Sequence, residues 1–121
     1  MTKILVVEDN EEVRELLCRI LSLEGYQVDK VASAAAGLEA IRSSTPALVV
    51  TDLLMPDRDG LELIMEIRRS RAGLPIVAVS AGGRIGASTY LRMAEKLGAD
   101  RVLTKPFQPE DLLGMVRELL E

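Results

Sequence analysis

Chemically distinct side chains end or follow four of the five short apolar runs in this sequence. They are Glu8 and Asp9 after the first run, Asp52 after the third, Ser80 at the end of the fourth and Lys105 after the fifth. Two like charges about 4 Å apart repel by roughly 4 kcal/mol at an effective dielectric near 20, so three clustered carboxylates need a cation among them. Oxygen ligands without histidine or cysteine favour a hard ion, and Mg²⁺ that keeps several waters is the expected cofactor.

Such a cluster could carry phosphoryl chemistry. A carboxylate beside Mg²⁺ can attack a phosphoryl group and form an aspartyl phosphate. Phosphoryl transfer needs mostly positioning and charge neutralisation, which the ion, the Lys105 ammonium and the Ser80 hydroxyl would supply. Attack by water on the product would then reset the site.

The elements that position these residues follow from hydrophobic periodicity. The apolar runs predict strands at 3–7, 27–31, 48–51, 75–80 and 101–104. Helical periods predict five helices. The first ends near residue 25, the second spans 33–42 and the third spans 60–69. The fourth runs from 88 or 89 to 97, and the fifth begins at 109. Strict alternation indicates right-handed crossovers and a parallel sheet covered by helices on both faces. We therefore expect one α/β domain over residues 1–121, a doubly wound, flavodoxin-like sheet of order 2-1-3-4-5.

This strand order places the reactive side chains together. Its switch point lies between the first and third strands, so Glu8 and Asp9 are expected beside Asp52. The run Leu48–Thr51 is apolar enough to be buried on both faces and has no place for a free charge, so Asp52 is expected at the carboxyl edge, where ligands bind.

The helical periods also predict which side chains face the core. The first helix carries one apolar stripe, formed by Val13, Leu16, Leu17, Ile20 and Leu21. Core positions are also expected for four methionines, namely Met55, Met65, Met93 and Met115. Cys18 is expected to pack beside the stripe. The basic run at the end of the third helix, which is Arg68, Arg69 and Arg71, is expected in solvent.

Composition excludes several classes of function. The 121 residues carry a net charge of −4 and only 2% aromatic residues, so a nucleic-acid surface is not expected. The chain has no histidine, which removes histidine metal sites, Ser-His and Cys-His catalysis, and a phosphohistidine carrier. The apolar run Ile4–Val7 is too short for a signal peptide or a membrane span, so we expect a cytoplasmic protein without a membrane partner.

Taken together, these motifs resemble the receiver domain of response regulators in two-component signalling, over essentially all 121 residues. The matching residues are Glu8-Asp9, Asp52 with Met55-Pro56 and Asp59-Gly60, Ser80-Ala81, Gly98-Ala99-Asp100 and Lys105-Pro106-Phe107. The resemblance implies that Asp52 is the phosphoacceptor and a metal ligand. It also implies that Asp9 binds Mg²⁺ directly, that Glu8 acts mostly through water, and that the Leu54 carbonyl completes the metal site.

The resemblance also implies the remaining roles and the partners. Ser80 and Lys105 would contact the phosphoryl group, and the Lys105-Pro106 peptide bond would be cis. The phosphoryl donor would be a sensor histidine kinase or a histidine phosphotransfer protein. The output would pass to a downstream protein target or an effector domain, and a phosphorylation-dependent dimer is a further expectation. Such a domain catalyses only its own phosphorylation and dephosphorylation, and is therefore not classed as an enzyme.

Two features depart from the family pattern. The family usually has an aromatic residue three places before the lysine, whose rotamer reports phosphorylation, and here that position is Val102. The interval from Ser80 to Lys105 is also a few residues longer than expected. It carries Gly82, Gly83 and Gly86, which predicts a mobile or partly remodelled loop.

Three other classes of function fit the sequence less well. A pseudo-receiver that docks a partner constitutively would share the fold but would not be phosphorylated. A small phosphatase that forms an aspartyl phosphate commonly has a second Asp two residues beyond the nucleophile. This chain has Leu54 at that position. A flavin-binding electron carrier would need a loop after the first strand that binds the phosphate of the flavin. In this chain Glu8 and Asp9 follow that strand and would repel the phosphate.

Overall fold

Parallel strands form a single five-stranded sheet in the described part of the chain. They are β1 (Lys3–Val7), β2 (Gln27–Val31), β3 (Leu48–Asp52), β4 (Ile76–Ala81) and β5 (Arg101–Lys105). Their order is β2-β1-β3-β4-β5, and every neighbouring pair is parallel. The predicted fold class and strand order are therefore confirmed.

The structure is a computed structural model that describes residues 2–55, 57, 59–81 and 87–121, with the backbone alone at 81 and 87–91. The predicted glycine loop with Gly82, Gly83 and Gly86 lies outside the described residues, as does Pro56. No helix in the described ranges has the length and apolar character needed to cross a membrane.

Helices cover both faces of the sheet. They are α1 (Glu11–Leu23), α2 (Ala34–Ser44), α3 (Gly60–Ser70), α4 (Ala87–Leu97) and α5 (Pro109–Leu120). Successive residues of β1 alternate between two cores, as the twofold period of a strand requires. Leu5 and Val7 face the core under α2, α3 and α4, whereas Ile4 and Val6 face the core under α1 and α5. This double burial explains why β1 is an uninterrupted apolar run.

Three predicted core positions are wrong. Leu16 is 50% exposed, Met65 39% and Met93 46%. At about 100° per residue, Leu16 lies roughly 120° from the centre of the buried arc of α1, which Leu17, Cys18, Ile20 and Leu21 define. The buried positions of Met55 and Cys18 are confirmed. Spacing thus predicts the period of a helix more reliably than the direction of its buried face.

The basic end of α3 is also not simply solvated. The Arg68 guanidinium donates to the Leu74 and Gly98 carbonyls and to the Asp100 carboxylate, the last at 2.6 Å. The same Asp100 oxygen accepts the Ile76 N–H at 2.8 Å. Arg68 therefore fastens the segment after α4 to the end of α3 and the start of β4.

Candidate functional site

Three carboxylates meet where β1 and β3 end. Val7 pairs with Thr51 in the parallel register, so the residues that follow them, Glu8 and Asp52, come side by side. Glu8, Asp9 and Asp52 each contribute one oxygen to a set in which all atoms lie within 4.8 Å of one another. Glu8 is 1% exposed and Asp52 is 6% exposed, whereas Asp9 faces solvent. The predicted acidic cluster is therefore present, with two buried members and one open to water.

Lys105 brings a positive charge to this cluster from the end of β5. Its Nζ lies 3.1 Å from Glu8 Oε1 and 3.7 Å from Asp52 Oδ1. The nearer pair joins residues 97 positions apart in the chain. The peptide bond between Lys105 and Pro106 is cis, as predicted. Glu8 thus has a direct ion pair with Lys105, in addition to the water-mediated role that the resemblance implies for it.

The environment of Asp52 opposes its negative charge. Burial, and then the neighbouring charge of Glu8, raise the pKa of Asp52 to about 6, while the Lys105 ammonium and the Leu54 N–H that bonds the carboxylate act in the opposite direction. A proton and a metal cation would therefore compete for this carboxylate near neutral pH.

The raised pKa of Asp52 predicts a pH-dependent stability of the metal-free chain. Asp52 binds its proton more tightly when folded than when unfolded, where its pKa is near the ordinary 3.8. The free energy of unfolding should therefore fall as pH rises from about 4 to about 6, by of the order of 2–3 kcal/mol, and stay lower above that. Urea unfolding in EDTA should show this fall relative to Asp52→Asn. A difference between the two chains that stays constant with pH would contradict it.

The loop after β3 is closed at its base. Leu54 pairs with Asp59 in an antiparallel bridge, and the Gly60 N–H donates to the Leu53 carbonyl at 3.1 Å. Asp59 caps α3 by accepting the Leu61 N–H at 2.8 Å. A Cβ at position 60 would lie 2.5 Å from the Leu53 Cα, so only glycine fits there. The Asp59-Gly60 motif therefore fixes the backbone directly after the phosphoacceptor candidate.

Ser80 lies on the strand between Asp52 and Lys105. Asp52 pairs with Val79, and Ala81 pairs with Lys105, so Ser80 is at the same edge of the sheet, where it is 2% exposed. The structure thus places Ser80 as predicted, and its contact with a phosphoryl group stays a prediction. Val102 is partly buried against the core under α2, α3 and α4.

Two residues that hold loops next to strand ends were not predicted from the sequence. Arg14 Nη1 donates to the carbonyls of Glu8 at 3.1 Å and Asp9 at 3.4 Å, and so holds the loop that carries the acidic pair. Its position in the first turns of a helix is a usable signal, because helical side chains point back toward the N-terminus. The other is Asp57, whose carboxylate bonds the start of α2.

A five-stranded parallel sheet with carboxylate, hydroxyl and ammonium groups at its carboxyl edge defines a receiver domain. The chain belongs to that family. The response regulator receiver domain model matches residues 4–117. The chain is therefore the receiver domain of a response regulator in two-component signalling. This is a signalling class, and the match indicates no enzyme family. The acidic pocket fits Mg²⁺ and an aspartyl phosphate.

Relatives agree with this assignment. Response regulator MprA of Mycolicibacterium vanbaalenii and that of Mycobacterium ulcerans are each 40% identical over 118 residues, which is 98% of this chain and 50% of theirs. The chain thus spans about half the length of the curated relatives it matches.

Similar solved structures include the receiver domain of NtrX from Brucella abortus, with 34% identity, a TM-score of 0.90 and 97% of each chain covered. Another is a putative response regulator from Chloroflexus aurantiacus, with 32% identity, a TM-score of 0.90, and 98% of this chain and 97% of that chain covered.

Proposed function

We propose that this chain accepts a phosphoryl group on the Asp52 carboxylate from a histidine kinase or a histidine phosphotransfer protein. The observation that carries the proposal is the convergence of Glu8, Asp9 and Asp52 with the Lys105 ammonium, which lies 3.7 Å from Asp52. An acidic cluster with two buried members, one exposed member and a cation at its edge is suited to holding both a metal ion and a transferred phosphoryl group.

The donor set fits Mg²⁺. All three side chains offer carboxylate oxygens, and the exposed Asp9 leaves room for the waters that this ion retains. Asp9, Asp52 and the Leu54 carbonyl would bind the ion, and Glu8 would act mostly through water. When bound, the ion would neutralise charge on the phosphoryl oxygens and the acidic cluster.

The chemical step would use the residues of the chain as follows. An Asp52 carboxylate oxygen attacks the donor's phosphorus, the P–N bond breaks, and the leaving imidazole keeps the electron pair. Lys105 would pair with one phosphoryl oxygen in place of its contact with Asp52. The Ser80 hydroxyl would donate to another. Both interactions stabilise the charge that spreads over the transferred group.

The partners of this domain follow from its class. Response regulators receive their signal from histidine kinases, and the chain matches half the length of its MprA relatives. We therefore propose a downstream protein target or an effector domain as the recipient of the phosphorylation state, with a dimer that forms on phosphorylation. A net charge of −4 argues against nucleic acid as a ligand of this domain, and a cytoplasmic location is part of the proposal.

The test is the intact mass of the chain after incubation with acetyl phosphate, in Mg²⁺ and in EDTA. We expect one phosphoryl adduct in Mg²⁺ and little in EDTA, and peptide mapping after borohydride reduction should locate it at Asp52. No adduct together with no heat of Mg²⁺ binding would favour the pseudo-receiver. An adduct on another residue, or one of equal size in EDTA, would contradict the proposed site.

A further inference from the structure

Two side chains from different parts of the sequence bond the first turn of α2. Ser33 is the ordinary N-cap, and its hydroxyl accepts the Ala36 N–H at 3.1 Å. Asp57 comes from the loop after β3. Its two carboxylate oxygens accept the N–H groups of Ala34 and Ala35, both at 3.2 Å. One carboxylate therefore ties the tip of the β3–α3 loop to the start of a helix more than 20 residues earlier.

The same end of α2 also supports the loop that carries Glu8. Gly37 packs on Val7, the residue before Glu8, so closely that a Cβ at position 37 would lie 3.0 Å from Val7 Cγ2. The Glu8 N–H donates at 3.1 Å to the carbonyl of Val31, the last residue of β2 before the turn into α2. The first turns of α2 thus contact Val7, directly before Glu8, and Asp57 in the loop after Asp52.

Several described residues between β3 and α3 are held in place. The bridge between Leu54 and Asp59 closes the base of this loop, the Met55 side chain is buried in the core, and Asp57 bonds the start of α2. Mg²⁺ demands near-ideal octahedral geometry at about 2.0–2.1 Å, so a backbone ligand in this loop must be held to a few tenths of an ångström.

We propose that Asp57 is a positioning residue for the metal site: by bonding the first turn of α2 it helps to hold Leu54, and with it the Leu54 carbonyl, beside Asp9 and Asp52. This inference rests on the proposed function, since it assumes that Leu54 is a ligand. It goes beyond the acidic cluster because Asp57 is not a member of that cluster.

The competing explanation is that Asp57 only stabilises α2. Ser33 separates the two explanations, because it bonds the same turn of the same helix and belongs to a different loop. Loss of either side chain should make α2 less stable. Only the loss of Asp57, and not that of Ser33, should also loosen the loop that carries Leu54.

The experiment titrates Mg²⁺ alone into the full chain by calorimetry, for the parent, Asp57→Ala, Asp57→Asn and Ser33→Ala. Outer-shell groups of metal sites commonly affect affinity by about 10-fold or more, so we expect Asp57→Ala to raise the Kd by about 10-fold. Asp57→Asn keeps one carbonyl acceptor and should raise it by about 3-fold. Ser33→Ala should change it by less than about 2-fold at a similar loss of thermal stability. Amide exchange should quicken at Ala34 and Ala35 in Asp57→Ala.

Two results would overturn the inference while leaving the proposed function intact. One is an Asp57→Ala chain that binds Mg²⁺ as tightly as the parent. The other is an equal rise in Kd for Asp57→Ala and Ser33→Ala. A parent chain that binds no Mg²⁺ would overturn the proposed function and this inference together.

Discussion

Asp52→Asn is expected to abolish the Mg²⁺-dependent phosphoryl adduct, with a fall in the rate of at least about 10³-fold. The amide oxygen carries no negative charge, is a poor nucleophile and is a weaker ligand for a hard cation. Intact mass after a fixed incubation with acetyl phosphate measures the effect. The control is Asp29→Asn, which alters a carboxylate of β2 that is paired only loosely with Lys3, at 3.9 Å, and should form the adduct as the parent does.

The same substitution is expected to stabilise the metal-free chain at neutral pH. Burial beside Glu8 makes the ionised carboxylate of Asp52 unfavourable, which is why its pKa is raised to about 6. A neutral amide of nearly the same shape removes that penalty. The residue would then be retained for its chemistry at the expense of stability, as is common at functional sites. An adduct of parental size, or a variant less stable than the parent at pH 7.5, would contradict this account of Asp52.

Gly60→Ala is expected to lower the free energy of unfolding by about 3 kcal/mol or more, and to weaken Mg²⁺ binding as well. The new methyl group would lie 2.5 Å from the Leu53 Cα and 2.7 Å from its carbonyl carbon. These are backbone atoms between a buried strand and the bridge of Leu54 with Asp59, so moving them aside would require a large free energy.

A loss of stability in Gly60→Ala would be informative, because alanine normally stabilises a helix more than glycine does. Gly114 in α5 is the matched control, since a Cβ there would meet nothing within 4 Å. Gly114→Ala should raise the free energy of unfolding by about 0.5–1 kcal/mol. Urea unfolding of both variants would decide the matter. A Gly60→Ala chain as stable as the parent would show that the backbone after β3 can relax.

The main features of the site were predictable because they depend on topology. A strand buried on both faces reads as an unbroken apolar run, and the polar residue that ends it lies at the edge of the sheet. The alternation of strands and helices then brings Asp52, the acidic pair and Lys105 to the same edge. Each of these residues needed only its position relative to a strand end. The register alone does not give the side-chain distances, because β3 and β4 lie between Glu8 at the end of β1 and Lys105 at the end of β5.

Other interactions have no equivalent signal in the sequence. Asp57 and Arg68 bond main-chain carbonyls or N–H groups, and such partners do not depend on the identity of the residue that offers them. A charged side chain with a backbone partner therefore looks the same in the sequence as one in solvent. Leu16 and Met65 were misplaced for another reason: a period of 3.6 fixes the spacing of buried positions, while neighbouring elements decide which arc is covered.

The pairing of Glu8 with Lys105 also bears on synthesis. Lys105 is encoded 97 residues after Glu8, so a growing polypeptide carries this carboxylate long before its counter-charge. A stalled or truncated product that ends before β5 would hold Glu8 and Asp52 without the ammonium that pairs with both. The two buried carboxylates therefore acquire their paired ammonium only once β5 has been made.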